Sequence, residues 1–283
     1  MRLFSTPSIS YFDAPAGTPY NQAAWSVLAF SAVRTLRRRC VQQRSLVSLQ
    51  EKRKGDPVAW GLKDMLWASL TAIALVLAGL IALIIFLALF QALRGSPLDQ
   101  KVWIWGVLAL ESILVVPAWF WGPRKYGQGW ASLGLHTFPV VKTLVLALIS
   151  LPLMLLINAG WELVRRQLGW AGQPNYLPLF GGGPLGLALA LLIGGVIAPI
   201  AEEIFFRGYL YAGLRSRLGL GWGLVLSALL FAVLHVIPGV IPPIFLLGLI
   251  LATVYEYSGS LWPAILLHSA INTLAFVAAY LTG

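Results

Sequence analysis

Two adjacent glutamates and an arginine lie inside a long apolar run of this sequence. Glu202 and Glu203, with Arg207 four residues after the second, interrupt the stretch 185–214, which otherwise consists mainly of Leu, Ile, Ala, Gly, Val and Phe. A carboxylate near the middle of a bilayer costs at least ~2.5–3.5 kcal/mol on insertion scales. Two side by side therefore indicate a functional site in which a carboxylate can act as a general base or relay a proton.

The spacing of the three charged residues gives them different roles. Glu203 and Arg207 are i, i+4 neighbours on one helix face, with the acid first, which is the favoured order for an ion pair. Glu202 is rotated by ~100° from Glu203 and has no partner at that spacing. It must find a partner on another helix or take up a proton, and either outcome suits a general base.

Further polar residues occur in the apolar runs that follow. His235 comes four residues after Phe231, and His268 comes four residues before Asn272, so each pair lies on one face of a helix. His136, the third histidine of the chain, belongs to a loop and is expected to have no special role. We expect His235 and His268 to share one functional site with the glutamates. The alternative is that they are polar groups scattered among the helices.

The composition predicts the elements that must position these residues. Hydrophobic residues make up 59% of the 283 residues, charged residues 11%, and the mean hydropathy is +0.81, whereas an ordinary soluble domain is ~25% charged. The runs lack the alternating pattern of a transmembrane barrel. An all-α, polytopic transmembrane bundle is predicted, with about seven spans: 66–90, 102–121, 140–164, 185–214, 222–237, 241–257 and 261–281.

The basic residues are concentrated near the amino terminus. The net charge is +10, and half of the 20 Lys and Arg lie in the first 65 residues. The positive-inside rule explains a basic tail before the first strong span better than nucleic-acid binding does, so we expect a cytoplasmic amino terminus. Residues 1–62 are expected to be soluble or interfacial, with an interfacial helix over 23–33. Cys40 is the single cysteine, which excludes an intramolecular disulfide.

The three sets of polar residues are predicted to lie at a similar depth. At ~1.5 Å per residue, Glu202, His235 and His268 lie about 12–20 Å from one end of their respective spans. If the spans alternate in direction, these three ends are all on the cytoplasmic side. The sequence therefore predicts one site shared by three helices and open towards the cytoplasm.

The motifs resemble those of a known family. In this order and on successive helices they are similar to the signature motifs of the CPBP intramembrane proteases: Glu202-Glu203-x3-Arg207, Phe231-x3-His235 and His268-x3-Asn272. This family includes the type II CAAX prenyl endopeptidases and bacterial homologues, also called Abi proteins, linked to bacteriocin self-immunity. The resemblance covers about residues 130–281. The chain is accordingly divided into a basic region (1–62), two additional transmembrane helices (63–129) and a protease-like domain (130–283).

The resemblance implies that the chain hydrolyses a peptide bond inside the membrane. It assigns the activation of a water molecule to Glu202 and His235, and the stabilisation of the oxyanion to His268 and Asn272. Such an oxyanion donor in a water-poor cavity is worth several kcal/mol in the transition state. The supporting residues are Glu203 and Arg207. The substrate would be a membrane-embedded or lipid-anchored peptide or protein, prenylated or not.

Members of the family are also described as metalloproteases, which leaves two versions of the chemistry. In the favoured version a glutamate activates the water and no cofactor is required. In the alternative, Glu202, His235 and His268 bind Zn²⁺ and leave a fourth position open. Asn272 is a poor zinc ligand, and the chain has no His-Glu-x-x-His pair.

Two other functions remain open from the residues. The chain could be a catalytically silent membrane scaffold or immunity factor, or a proton-coupled transporter that uses Glu202, His235 and His268 as a relay. Glu111, inside the second predicted span, would pair with a basic residue or line the substrate cavity.

Overall fold

The computed structural model describes residues 58–94 and 112–282, and every regular element in these two ranges is helical. Four features predicted above fall wholly or mostly outside the described residues: the helix over 23–33, Cys40, the first half of the second span, and Glu111.

The helices of the described residues are numbered here in chain order. The α-helices are α1 Leu62–Arg94, α2 Val115–Trp119, α3 Val140–Gln167, α4 Gly183–Leu192, α5 Ala198–Glu203, α6 Ala212–Val233, α7 Ile241–Ser258 and α8 Trp262–Thr282. Wider π-helical turns follow α2, α4 and α5, at Phe120–Arg124, Ile193–Ile197 and Ile204–Tyr211. Short 3₁₀ helices occupy Trp130–Leu133, Leu177–Phe180 and Pro238–Val240.

The helical membrane bundle predicted from composition is confirmed. Five helical stretches of the described residues are long and apolar enough to cross a membrane: Leu62–Leu93, Val140–Gln167, Gly183–Val233, Pro238–Ser258 and Trp262–Thr282. The third of these contains two of the predicted spans, and α2 with the π turn after it forms the described end of the second. The chain is therefore an integral membrane protein, and its described residues are all-helical.

The longest of these stretches, Gly183–Val233, forms a helical hairpin that turns at Gly219. This residue has φ 82° and ψ 176°, a conformation that glycine adopts without the steric penalty of a Cβ. A Cβ on Gly223 would lie 2.9 Å from the Cα of Arg215, although residues eight apart in a straight helix are about 12 Å apart. The two arms of α6 therefore run antiparallel, and the separation of the predicted spans 185–214 and 222–237 is confirmed.

The second arm of this hairpin ends earlier than the sequence predicts. The helix stops at Val233, so His235 lies in the turn after it instead of inside a span. Hydropathy misplaced it because the apolar run continues to Ile237, four residues past the helix end. Val236, the only residue other than glycine with a positive φ (51°) in the described ranges, follows His235 directly. From Leu220 to Val233 the arm is about 21 Å long, shorter than the ~30 Å hydrocarbon core.

The first arm of the hairpin, which is the part of Gly183–Val233 before Gly219, forms the centre of the core. Every residue of Ile204–Tyr211 is buried. The beginning of α1 and the Phe120–Arg124 turn cover one side of this arm, while α7 covers another and is packed in turn against α8. Beyond Ala72, by contrast, most of the large apolar side chains of α1 are exposed, which suits contact with lipid.

Candidate active site

The helix that carries the glutamates alternates between α and π turns for local reasons. Pro199, near the start of α5, has no N–H for a regular helical bond, and its ring would crowd the carbonyl four residues earlier. The π turn Ile193–Ile197 lies directly before it, and a wider turn relieves that crowding. The second π segment begins immediately after Glu203, so both glutamates lie at a junction of the kind often found at functional sites.

Two glycines let α8 approach this helix closely. A Cβ on Gly194 would lie 2.5 Å from the ring of Phe276, and one on Gly195 would lie 2.9 Å from the Oγ1 of Thr273. Small residues at such crossings bring helix backbones together in membranes. Asn272, on the same part of α8, donates its amide Nδ2–H to the carbonyl of Gly194 at 3.1 Å.

The predicted ion pair between Glu203 and Arg207 is confirmed. Arg207 donates from Nη1 to Glu203 Oε1 at 2.7 Å, and both side chains are buried. The other guanidinium nitrogen donates to the carbonyl of Gly248 at 3.3 Å, and the guanidinium lies 4.3 Å from the ring centre of Phe231. Two charges in a membrane helix are thus neutralised and further supported by a carbonyl and a π face.

Glu203 has a second partner that the sequence analysis missed. His268 Nδ1 lies 2.9 Å from the same oxygen, Glu203 Oε1, that accepts from Arg207. Because this oxygen belongs to an ion-paired carboxylate, it accepts, and His268 carries its proton on Nδ1. Glu203 therefore fixes the tautomer and the ring orientation of His268, in addition to pairing with Arg207.

The other nitrogen of His268 faces the second glutamate. Its Nε2 lies 3.7 Å from Glu202 Oε2, and the side chain of Glu202 is 18% exposed while that of Glu203 is fully buried. Of the two outcomes expected for Glu202, a partner on another helix or an added proton, the structure shows a neighbour on another helix, His268. At 3.7 Å the two atoms are too far apart for a direct hydrogen bond.

The four side chains form two pairs. Glu203 and Arg207 form the buried ion pair, and beside it lies the Glu202–His268 pair, whose two members are side chains of the types that serve as general acids and bases.

The hairpin brings His235 close to the other residues of the site. Arg207 and its ring contact Phe231 lie twelve residues before and after Gly219, and Arg215 and Gly223 lie four before and after it. His235 follows Phe231 by four residues, and the ring of Phe231 contacts the guanidinium of Arg207 and both imidazoles.

The orientation of His235 follows from its hydrogen bond. Its Nδ1 lies 2.9 Å from the carbonyl of Phe231, which can only accept, so Nδ1 carries a proton. In the neutral ring Nε2 is then a proton acceptor. The ring of Phe231 lies edge-on to both imidazoles, with centroids 5.0 Å from His235 and 5.8 Å from His268.

The third histidine is outside this cluster, as expected. His136 is half-buried in the loop before α3, where Nδ1 donates to the carbonyl of Thr137 at 3.1 Å.

A zinc centre would require at least three donor side chains of the site to converge on one point. In residues 58–94 and 112–282, no three His, Cys, Asp or Glu side chains come together in a way that could hold a metal ion. Glu202, His235 and His268, the ligands named for the zinc version, do not form such a group here. Two of the donors also have other partners, since Nδ1 of each imidazole is bonded.

Several contacts of the site had no signal in the charged motifs. The carbonyls of Gly194 and Gly248 accept hydrogen bonds from Asn272 and Arg207. Glycines within the apolar runs were the available signal for both contacts, because a close approach of two helices exposes backbone carbonyls to the neighbour.

Comparison with protein families supports the resemblance of the motifs. Residues 184–274 match the family model described as type II CAAX prenyl endopeptidase Rce1-like. The match extends from α4 into α8, includes all three motifs, and is narrower than the 130–281 expected from the sequence. No curated protein and no solved structure was found to match the chain. Residues 184–274 therefore carry an Rce1-like domain, consistent with the CPBP family, within an integral membrane protein.

Proposed function

We propose that this protein is an intramembrane endopeptidase that hydrolyses a peptide bond in a membrane-embedded or lipid-anchored peptide or protein. The Rce1-like match supports hydrolytic activity at the level of the family. The observation that carries the proposal for this chain is the geometry around His268. One carboxylate, Glu203, holds its Nδ1 at 2.9 Å, while the other, Glu202, faces its Nε2 at 3.7 Å and remains free to take a proton.

The proposed reaction begins with the proton of the pair on His268. Glu202 is then ionised and accepts a proton from a water molecule, which also donates a hydrogen bond to Nε2 of His235. The water oxygen bonds to the carbonyl carbon of the substrate. The resulting oxyanion accepts hydrogen bonds from Nε2–H of His268 and from the amide N–H of Asn272 that is not bonded to Gly194.

The second step returns the proton. Glu202 delivers it to the nitrogen of the scissile bond as the carbon–nitrogen bond breaks, which leaves a carboxylic acid and an amine. Arg207, Glu203 and His268 keep their charges throughout, and the one proton that is transferred passes from the water through Glu202 to the nitrogen of the scissile bond. No step requires a metal ion.

The first test compares two glutamate variants of purified protein in detergent with a library of membrane peptides. Glu202→Gln removes the proton acceptor and is expected to lower kcat by about 10²–10⁴-fold, the usual contribution of a general base. Glu162→Gln is the matched control, because Glu162 is also in a membrane helix but is paired with Arg165 and Arg166 at 2.6 and 2.7 Å. It is expected to leave kcat within about twofold of the wild type, since such exposed pairs contribute little.

The same assay with a chelator distinguishes the two versions of the chemistry. We expect cleavage to survive thorough removal of metal ions. Loss of activity on chelation and its recovery on addition of zinc would contradict the metal-free mechanism while leaving the endopeptidase proposal intact.

The alternative functions make different predictions. Folded wild-type protein that cleaves no peptide under any condition contradicts the endopeptidase and favours a scaffold. For a proton-coupled transporter, proton flux into proteoliposomes would persist in Asn272→Ala, because asparagine has no titratable proton, and would be lost in Glu202→Gln. For the endopeptidase, both variants lose cleavage.

A further inference from the structure

The π-helical segment Ile204–Tyr211 is held from outside by residues that precede the Rce1-like domain. Four of them, which we call the clamp, contact this segment or the turn after it: Trp60, Met65, Gly122 and Leu133. A Cβ on Gly208 would lie 2.8 Å from the carbonyl oxygen of Leu133, and one on Gly213 would lie 2.5 Å from the sulfur of Met65. The two surfaces are therefore in direct contact, without room for an additional atom.

Trp60 makes the specific contact of the clamp. Its fully buried indole stacks on the ring of Tyr209 at 5.3 Å between centroids, and Nε1–H donates to the carbonyl of Tyr209 at 3.0 Å. The regular ladder is interrupted here, because the N–H of Ala212 bonds to both Arg207 O and Tyr209 O. π turns are rare and short in helices. Trp60 thus supplies a side-chain donor where the helix departs from α geometry.

Trp60 is itself anchored by charged neighbours. Asp64, in the first turn of α1, accepts from the N–H of Gly61, from Lys125 Nζ at 2.5 Å and from the hydroxyl of Tyr126 at 2.7 Å. These hydrogen bonds to the Asp64 carboxylate raise the pKa of Lys125 and of Tyr126. Arg217 donates to the carbonyl of Trp60 at 3.3 Å. The start of α1 is therefore tied to the Phe120–Arg124 turn and to α6.

A short series of contacts connects this anchor with the proposed site. Arg207 lies two residues before Tyr209 in the same buried segment, and it holds Glu203 Oε1 at 2.7 Å. That oxygen orients His268. A displacement of the Tyr209 backbone would move Arg207 and, through Glu203, rotate the imidazole.

We propose that Trp60 is a positioning residue for the Glu202–His268 pair and acts through Tyr209 and Arg207. The proposal rests on the proposed function. It deepens that function by giving residues outside the Rce1-like domain a part in setting the geometry of its proton transfer.

The test uses full-length protein in lipid nanodiscs labelled with ¹⁵N-histidine. The chain has three histidines, so the imidazole resonances can be assigned by single substitutions. Trp60→Phe keeps an aromatic ring against Tyr209 and removes the N–H donor. We expect the Nδ1 and Nε2 resonances of His268 to shift, and those of His136, whose Nδ1 bonds within its own loop, to remain unchanged.

Kinetics of peptide cleavage give the second readout. For Trp60→Phe we expect kcat to fall about tenfold to hundredfold with KM within about twofold, because displacement of a reacting group lowers the chemical step. Trp67→Phe is the matched control, since Trp67 lies in α1, seven residues after Trp60, is 54% exposed and stacks on Trp121 instead of Tyr209. It should change neither the His268 resonances nor kcat.

The outcomes that overturn the proposal are distinct from failure of the proposed function. A folded Trp60→Phe protein with wild-type His268 resonances and wild-type kcat overturns it. If Trp60→Phe does not fold, Gly122→Ala decides with the same readouts, because its Cβ would crowd the Tyr209 ring at 2.9 Å. Failure of both variants to fold assigns the clamp a structural role only, which also overturns the proposal. If the wild type cleaves no peptide, the endopeptidase fails, but the His268 resonances still test the positioning by Trp60.

Discussion

The imidazole of His268 lies between the carboxylates of Glu202 and Glu203, which differ in their other contacts. Glu203 is fully buried and shares one oxygen between Arg207 and the imidazole, so its charge is already compensated. Glu202 is partly exposed and lies 3.7 Å from the imidazole, and its carboxylate also interacts electrostatically with Arg207. The same residue type, at adjacent positions, is therefore fixed in one case and free to exchange a proton in the other.

The ion pair below this imidazole leads to a prediction about stability. Arg207→Met leaves the carboxylate of Glu203 buried without its cation, a change that typically costs about 3–5 kcal/mol. We expect a clearly lower midpoint of thermal unfolding in detergent, followed by circular dichroism. Adding Glu203→Gln to Arg207→Met should recover part of the loss, because the uncompensated charge is removed.

The control for this prediction is Arg166→Gln. Arg166 also pairs with a glutamate at i, i+4, but its side chain is 72% exposed, and such pairs contribute about 0–1 kcal/mol. An unfolding midpoint of Arg207→Met equal to that of Arg166→Gln would show that the buried pair contributes no more than a surface pair.

At the scale of helices, the site depends on backbones that approach one another closely. Gly194 and Gly195 admit α8, Gly208 admits the loop at Leu133, and Gly248 admits the second arm of α6. Helices in a membrane gain little from hydrophobic association, so close packing of small residues does much of this work. The position of each polar side chain consequently depends on these glycines as much as on the helix that carries the side chain.

Gly208→Ala tests this dependence. Its Cβ would lie 2.8 Å from a backbone oxygen, which cannot move aside as a flexible side chain can, so we expect a lower unfolding midpoint and reduced cleavage. Gly160→Ala in α3 is the matched control. No atom lies within 4 Å of the position its Cβ would take, and alanine favours helix over glycine by about 1 kcal/mol. Equal midpoints for the two variants would contradict the packing argument.

What could be predicted at this scale follows from what hydropathy and spacing measure. Apolar runs identified the helices, and the i, i+4 rule identified the pair of Glu203 and Arg207 because both act along one helix. The contact of Glu203 with His268 joins residues 65 apart and depends on the crossing of two helices, which no local pattern contains. The helix end before His235 was missed because the turn is as apolar as the helix.

At the scale of the molecule, basic residues collect at the end marked by Gly219. Arg217 bonds to the carbonyl of Trp60, and Lys125 bonds to Asp64, so the start of α1 and the Phe120–Arg124 turn lie at that end. Glu162, Arg165 and Arg166 lie at the other end, because Trp161 bonds to the carbonyl of Gly239 at 2.7 Å. By the positive-inside rule we infer that the Gly219 end faces the cytoplasm.

The single cysteine of the chain provides a test of this orientation. Cys40 precedes α1 and should react with a membrane-impermeant maleimide only after cells are permeabilised. In a Cys40→Ser background, Gln173→Cys, in the exposed loop after α3, should react in intact cells. The reverse pattern of labelling would invert the assignment.

The turn at Gly219 also restricts how this protein can change during evolution. One residue inserted into either arm would move His235 by about 1.5 Å and rotate it by about 100° relative to Glu203. Insertions of equal length in both arms would restore the pairing of residues between the arms. An insertion in one arm alone would not. The lengths of the two arms together fix which residues of one arm lie beside which residues of the other. We therefore expect homologous chains to differ in length in the loops around α3 and to keep the twelve residues that separate this glycine from Arg207 on one side and from Phe231 on the other.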